Sequence, residues 1–246
     1  MVFEPDARMK GKMLKDGSVL KFMYSVAGAG KGLVAMGAML VPIGILLAVA
    51  LAGIMGTAQA VVVATVIGVP GLLLIIAGMM LQNRRMSNWM KAYQKNSGLS
   101  EDELRRFDDE FRQPGTLLFA LEKGKDTNSL KKMGVITSHY VKFPGIVPYI
   151  LRQEELVAFF YTRKYLCGDG GYDKALIAYG TDKERGFMAR EQGNEKTNME
   201  IVEAIASRNP MVITDHHFVY EGKEYDAVRR PEEVIDLHER IRRQQA

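Results

Sequence analysis

The chain has 246 residues, with 33 Lys and Arg against 29 Asp and Glu, one cysteine and a mean hydropathy of −0.08. That average hides a block from Gly32 to Asn83 with no charged residue at all. Such a block excludes an ordinary soluble globule and a disordered chain, and a lone cysteine excludes a disulfide scaffold.

Residues 1–32 form a basic segment ahead of the block. The block itself, 52 residues long, would reach roughly 78 Å as one helix at about 1.5 Å per residue. A bilayer core is about 30 Å thick, so two spans fit and one or three do not. Residues 33–82 therefore read as a transmembrane hairpin, with spans at 33–55 and 60–81 divided at Gly56-Thr57-Ala58-Gln59. Neither span has the polar stripe of a buried soluble helix. Pro42 and Pro70 lie inside the spans and predict kinks. Gly44, Ala48, Ala52 and Gly56 recur every four residues, as do Ala60, Ala64 and Gly68. Small residues at that spacing let membrane helices approach closely, within one hairpin or between copies. With no ionisable group inside the spans, an ion pathway is not expected.

Positive residues flank both ends of the hairpin: Arg8, Lys10, Lys12, Lys15, Lys21 and Lys31 before it, Arg84, Arg85, Lys91 and Lys95 after it. The connecting turn is uncharged. Both termini are therefore expected in the cytoplasm of a multi-pass membrane protein, with the lipid bilayer as one partner. The tract Arg84, Arg85, Lys91 and Lys95 is a candidate for headgroup contact, worth about 1 kcal/mol per residue near an anionic surface.

Residues 83–115 combine this basic tract with a connector helix. Ser100 followed by Glu103 is a capping box, and Pro114-Gly115 stops the helix near Gln113. Leu104, Phe107 and Phe111 share one face. Residues 116–246 then read as an α+β domain with a mostly antiparallel sheet and C-terminal helices. Val135–Phe143 alternates like a strand, Leu156–Leu166 is rich in β-branched and aromatic residues, and Cys167–Gly171 is a strong turn. Ala175–Tyr179 and Gly186–Arg190 flank Thr181-Asp182-Lys183-Glu184 as a hairpin. One helix follows from Glu195 to Arg208 with Met199, Val202, Ile205 and Ala206 inward, and another opens at Pro231 with Val234, Leu237, His238 and Ile241 as its stripe.

Val135–Gly145 aligns with Val212–Gly222 at an offset of 77 residues, sharing Val, Ile, Thr, His and Gly. If these are equivalent strands, they belong to one sheet, with Val135, Val141, Val212 and Phe218 buried under the helix from Pro231. Ser138, Tyr140 and Lys142 would then lie on a free face. The strand opening Ile136-Thr137-x-x-Tyr140, the turn at Gly145 and the run Ile146-Val147-Pro148-Tyr149 resemble the PH-like domains of uncharacterised bacterial membrane proteins. That resemblance implies a membrane hairpin followed by a cytoplasmic domain of strands with a closing helix. It carries no functional residue with it.

Among chemical motifs, Ala27–Gly32 fails as a phosphate loop, because Ser25 stands where its first glycine is needed and Gly32 where Ser or Thr is needed. His139, His216 and Asp215 are the metal candidates, but adjacent strand histidines point to opposite faces. Cys167 has no local activating partner. Beyond Asn83 the balance is 27 basic to 26 acidic residues, so nucleic acid is not an expected partner. No cofactor is expected. The leading expectation is a non-catalytic membrane protein whose PH-like domain binds a protein or a lipid headgroup, or scaffolds, with a protein partner or homo-oligomer formed through the hairpin. The competing class is a membrane-tethered metal-dependent or hydrolytic enzyme using His139 and His216.

Overall fold

The computed structural model describes residues 1–24, 29–121, 130–144, 149–166, 172–182, 186–190 and 194–245. The chain divides into two compact units, residues 24–89 and a second built from 1–23 together with 90–246. The class is α+β: two long apolar helices near the N-terminus, antiparallel sheets, and helices toward the C-terminus. The glycine-rich stretch at Gly28, the Gly145–Pro148 run and the Cys167–Gly171 turn fall outside the described residues.

The second unit takes its first elements from the start of the chain: β1 (Val2–Phe3), α1 (Ala7–Met13) and α2 (Val19–Met23). The helical unit is the hairpin of α3 (Ala29–Met55) and α4 (Thr57–Ser87). Windows Gly32–Ile54 and Thr57–Arg84 are long and apolar enough to cross a membrane, and only 11% of each is buried. The break between the helices is narrower than the four polar and small residues suggest. Gly56 alone makes it, at φ 86°, and Thr57, Ala58 and Gln59 already belong to α4. Glycine reaches that left-handed conformation without a Cβ clash, so it can end one helix abruptly. Both helices run through their prolines, Pro42 and Pro70.

The second unit continues with α5 (Trp89–Ser97) and α6 (Glu101–Arg112). Ser100 caps α6 with both bonds of the capping box, and Leu104, Phe107 and Phe111 are fully buried. This helix is part of the domain core. The N-terminal segment is bound to it: the buried Asp108 carboxylate accepts the N–H groups of Val19 at 2.9 Å and Leu20 at 3.4 Å, capping α2. Burial pushes the Asp108 carboxyl up, and bonds from Ser18, Leu20 and Val19 pull against that.

Five short strands follow one antiparallel order, β1 with β2 (Leu117–Phe119), β3 (Gly134–Ile136), β4 (Tyr140–Lys142) and β5 (Ile150–Arg152). A three-stranded antiparallel sheet is formed by β6 (Leu156–Leu166), β7 (Tyr172–Gly180) and β8 (Gly186–Arg190). Helix α7 (Glu195–Ala206), the hairpin of β9 (His217–Tyr220) and β10 (Lys223–Asp226), and α8 (Pro231–Gln245) complete the unit. The three-stranded sheet is buried on both faces. Phe159, Leu176 and Ala178 join Ile136, Val141, Phe143, Ile201 and Ile205 in one core. The alternate residues Phe160, Ala175 and Ile177 join Tyr225, Val234 and Leu237 in another. The pleat sends successive side chains to opposite faces, so one strand serves two cores.

Val135–Phe143 is a tight hairpin, β3 turning into β4. Thr137 N–H donates to Tyr140 O at 2.9 Å, and Tyr140 N–H donates to the Thr137 hydroxyl at 3.1 Å. A Thr-Ser-His triplet supplies this turn chemistry, since a hydroxyl can stand in for a backbone acceptor. The second block is different: Ile213 makes a parallel bridge to Ala158, and His217–Tyr220 pairs with β10. The two segments lie in separate sheets, so the Thr-x-His repeat is a coincidence of pattern. Val141 and Val212 sit in the first core, Phe218 in the second with α8. The supposed free face is not free, because Tyr140 and Lys142 are buried and only Ser138 is exposed. In α7, Met199 is exposed and Ile201 takes the inward place.

Candidate functional site

Four parts of the second unit enclose a cavity of about 540 Å³: the middle of α6, the β3–β4 turn, the end of β5 with the short 3₁₀ turn Gln153–Glu155, and the residues just after α7. Each contributes for a local reason. The Ser100 cap sets the start of α6, and Glu103, Arg106 and Glu110, spaced one turn apart, share one face of it. The hairpin turn lifts Ser138 and His139 out of the sheet. Asn209 follows α7, its amide donating to Gln153 O at 2.6 Å and Leu156 O at 3.4 Å, and this holds Arg208 against the same cavity.

The wall is polar and mostly paired. Arg152 donates to Glu103 at 2.6 Å and also to Glu155, so one guanidinium faces two carboxylates. The Arg152 bond is the main reason the Glu103 carboxyl is held down to about 2. Arg106 donates to Glu110 at 3.1 Å and lies against the His139 ring at 3.3 Å. Glu110 is buried, which by itself raises its pKa. Bonds from the Thr137 hydroxyl and from the His139 amide and ring outweigh burial and lower it. Its carboxylate accepts His139 N–H at 3.0 Å and lies 2.7 Å from Nδ1. Arg208 differs from the other two arginines. Its guanidinium donates to the carbonyls of Ile136 at 3.0 Å, Thr137 at 3.3 Å and Gly115. Glu154 lines the same cavity and is exposed. It has no ion pair or hydrogen bond among the described residues.

Of the three metal candidates, His139 alone belongs to this cavity, beside Ser138 and Tyr140. His216 packs its ring 6.4 Å from Phe160, and Asp215 is exposed beside it. The three are not brought together, and among the described residues no group of three or more His, Cys, Asp or Glu could hold a metal ion. The pairing that His139 does make, with Glu110, crosses from helix to turn and has no short-range signal in the sequence. Arg84 is exposed in the last turn of α4, and Lys91 and Lys95 are exposed one turn apart on α5. The Arg85 side chain falls outside the described residues.

In the hairpin, Gly44 is the close-approach residue of the first stripe. A Cβ there would stand 3.2 Å from Gly68 N and 3.3 Å from Ala64 O. A tighter contact lies at Gly37, where a Cβ would stand 2.4 Å from Gly71 O. Gly37 stands seven residues before Gly44, and Gly71 three after Gly68 and seven after Ala64, so both continue the small-residue faces. Ala48, Ala52, Ala60, Ala64 and Gly68 line an apolar groove of about 430 Å³.

No family model matches the chain, and no curated protein or solved structure matches it either.

Proposed function

We propose that this chain is an integral membrane protein whose two-helix hairpin anchors a PH-like α+β domain, and that the domain works as a binding or scaffolding module for a protein or a lipid headgroup. The observation that carries the anchor is the outward face of the hairpin. Ile54 is 81% exposed and Val49 72%, within a stretch that has no charged residue from Gly32 to Asn83. Burying a side chain of this kind is worth about 1.5–3 kcal/mol, so a whole surface of them needs an apolar solvent. The basic residues on both flanks support cytoplasmic termini, with Arg84, Arg85, Lys91 and Lys95 positioned in sequence to meet headgroups. The polar cavity beside α6 supports recognition, since a few convergent polar groups in a concave site give a ligand its orientation.

The test is extraction and topology. The full chain should stay with membranes through alkaline and high-salt washes and leave them only with detergent. A cysteine placed at Thr57, in a Cys167→Ser background, should be labelled from outside sealed cells. One placed at the exposed Ser207 should not. Release by salt alone sinks the anchor, and outside labelling at Ser207 sinks the orientation. Ser97 is unsuitable as a probe, because it is buried and its hydroxyl accepts Ile150 N–H at 2.8 Å.

A further inference from the structure

We infer that the cavity beside α6 binds a zwitterion, a ligand joining an oxyanion to an ammonium group, with the oxyanion set against Arg208 and the ammonium against Glu154. This rests on the binding-module reading above and names the chemistry of its site.

Three guanidiniums in one cavity suggest an anion site at first sight. Arg152, however, is met by Glu103 and Glu155, and Arg106 by Glu110. Those two cations are already neutralised, and the Arg152 cluster carries an excess acid. Arg208 is met only by backbone carbonyls. Glu4 acts on it electrostatically without forming an ion pair, its own carboxylate accepting Gly115 N–H at 2.8 Å. Glu154 has no ion pair among the described residues, and the two do not pair with each other. Arg208 is therefore the one cation lining the cavity that no carboxylate pairs with, and Glu154 the one lining carboxylate that no cation pairs with, among the described residues.

A simple oxyanion placed here gains Arg208 but meets Glu154 and the excess acid at Arg152. A simple amine gains Glu154 but meets Arg208. Like-charge contact in a partly desolvated site costs as much as a good pair gains. Only a ligand carrying both signs satisfies both groups. Arg208 suits the oxyanion because three carbonyls hold its fork in place before binding, which lowers the cost of ordering it. Ser138, exposed at the lip, offers a neutral hydroxyl. A volume of about 540 Å³ admits a group of amino-acid or headgroup size.

Two sources carry this chemistry: free amino acids or short peptides, and the phosphoethanolamine headgroup of a membrane lipid. The test uses the full chain in a non-ionic maltoside detergent, titrated calorimetrically with phosphoethanolamine and with alanyl-alanine. Inorganic phosphate and ethanolamine serve as single-sign controls. At least one zwitterion should bind, and each control should bind at least about tenfold more weakly. Binding of phosphoethanolamine but not the dipeptide assigns the lipid source, and the reverse assigns the soluble one. Glu154→Gln, an exposed change that breaks no bond in the fold, should weaken the zwitterion about tenfold without weakening phosphate. Arg208→Ala should weaken zwitterion and phosphate alike, but it removes three structural bonds, so the Glu154 variant decides. The inference is overturned if phosphate binds as tightly as phosphoethanolamine, if Glu154→Gln leaves zwitterion binding unchanged, or if no probe binds. A cavity that takes phosphate alone keeps the domain a binding module. Failure of the extraction test removes the anchor whichever way these titrations fall.

Discussion

Glu110 and His139 are joined twice: the buried carboxylate accepts the backbone N–H of His139 at 3.0 Å and holds its Nδ1 at 2.7 Å. These bonds tie the middle of α6 to the β3–β4 turn, so one side chain fixes both a helix position and a hairpin. Glu110→Gln keeps the shape but removes the charge and one acceptor. It should cost about 1–3 kcal/mol, as the loss of a charged hydrogen bond in a buried place does. Because the folded carboxyl sits below its ordinary value, its contribution is present above that ordinary value and is lost as pH falls through the folded one. Wild type and variant should therefore converge in thermal stability in acid and differ most near neutrality. A gap that stays constant down to acid pH would show that charge plays no part.

Lys142 is the opposite case, a cation the fold does not pair. It is 1% exposed, and its Nζ donates only to Met133 O at 3.2 Å and Phe143 O at 3.0 Å. Burial pushes its pKa down to about 7. A group lowered in this way costs nothing above its unfolded pKa, and the cost grows as pH falls toward the folded one. At about 1.4 kcal/mol per unit, the cost approaches roughly 5 kcal/mol at neutrality. Lys142→Met removes that cost and strands two carbonyls, at about 1–3 kcal/mol each. The variant should melt at the same temperature or higher near pH 7, and its advantage should shrink steadily toward pH 10. An advantage that grows with pH contradicts the assignment.

Neither the Glu110–His139 pairing nor the burial of Lys142 carries a local signal in the sequence. The Ser100 cap, the buried stripe Leu104, Phe107 and Phe111, the β6 strand and the β7–β8 hairpin were legible because each is signalled within a few residues. Lys142 was not. Period-two alternation puts it on an outward face, but β3 and β4 are buried on both sides, and only the surrounding elements decide that. The β3–β4 turn was missed because two three-residue strands around a turn keep the same alternation as one strand. The N-terminal strand β1 has two residues, too few for any pattern. The cavity joins Glu103 to Arg152 and Gly115 to Arg208 across long stretches of chain, and no local rule reports such pairs.

Tyr140 tests the corrected hairpin directly. Its ring is 3% exposed and lies 6.1 Å from Phe107, between the sheet and α6. Tyr140→Ala should therefore act on stability, by about 3–5 kcal/mol as for a large buried aromatic. Tyr140→Phe should retain most of it. If the alanine variant melts like wild type and only a binding signal changes, the residue lies on a working surface after all.

The hairpin offers the sharpest contrast between two glycine or alanine changes of similar size. At Gly37 the backbones of α3 and α4 touch, since even a Cβ would meet Gly71 O at 2.4 Å and Ile75 Cγ1 at 2.8 Å. The first of these is backbone and cannot swing aside. Gly37→Leu should force the helices apart along that end, because no rotamer removes a clash with Cβ itself. Ala48 lines the open groove instead, where a longer side chain finds space. Ala48→Leu should leave the helix pair intact, whereas the spacing of small residues alone predicts that it loosens. Cross-linking between cysteines on α3 and α4, read in detergent, separates the two. Loss of the cross-link in Gly37→Leu with retention in Ala48→Leu places the contact at the glycines. If Ala48→Leu also changes the oligomeric state, the groove is occupied by a second copy. If both variants cross-link like wild type, the glycine contact does not hold the hairpin together.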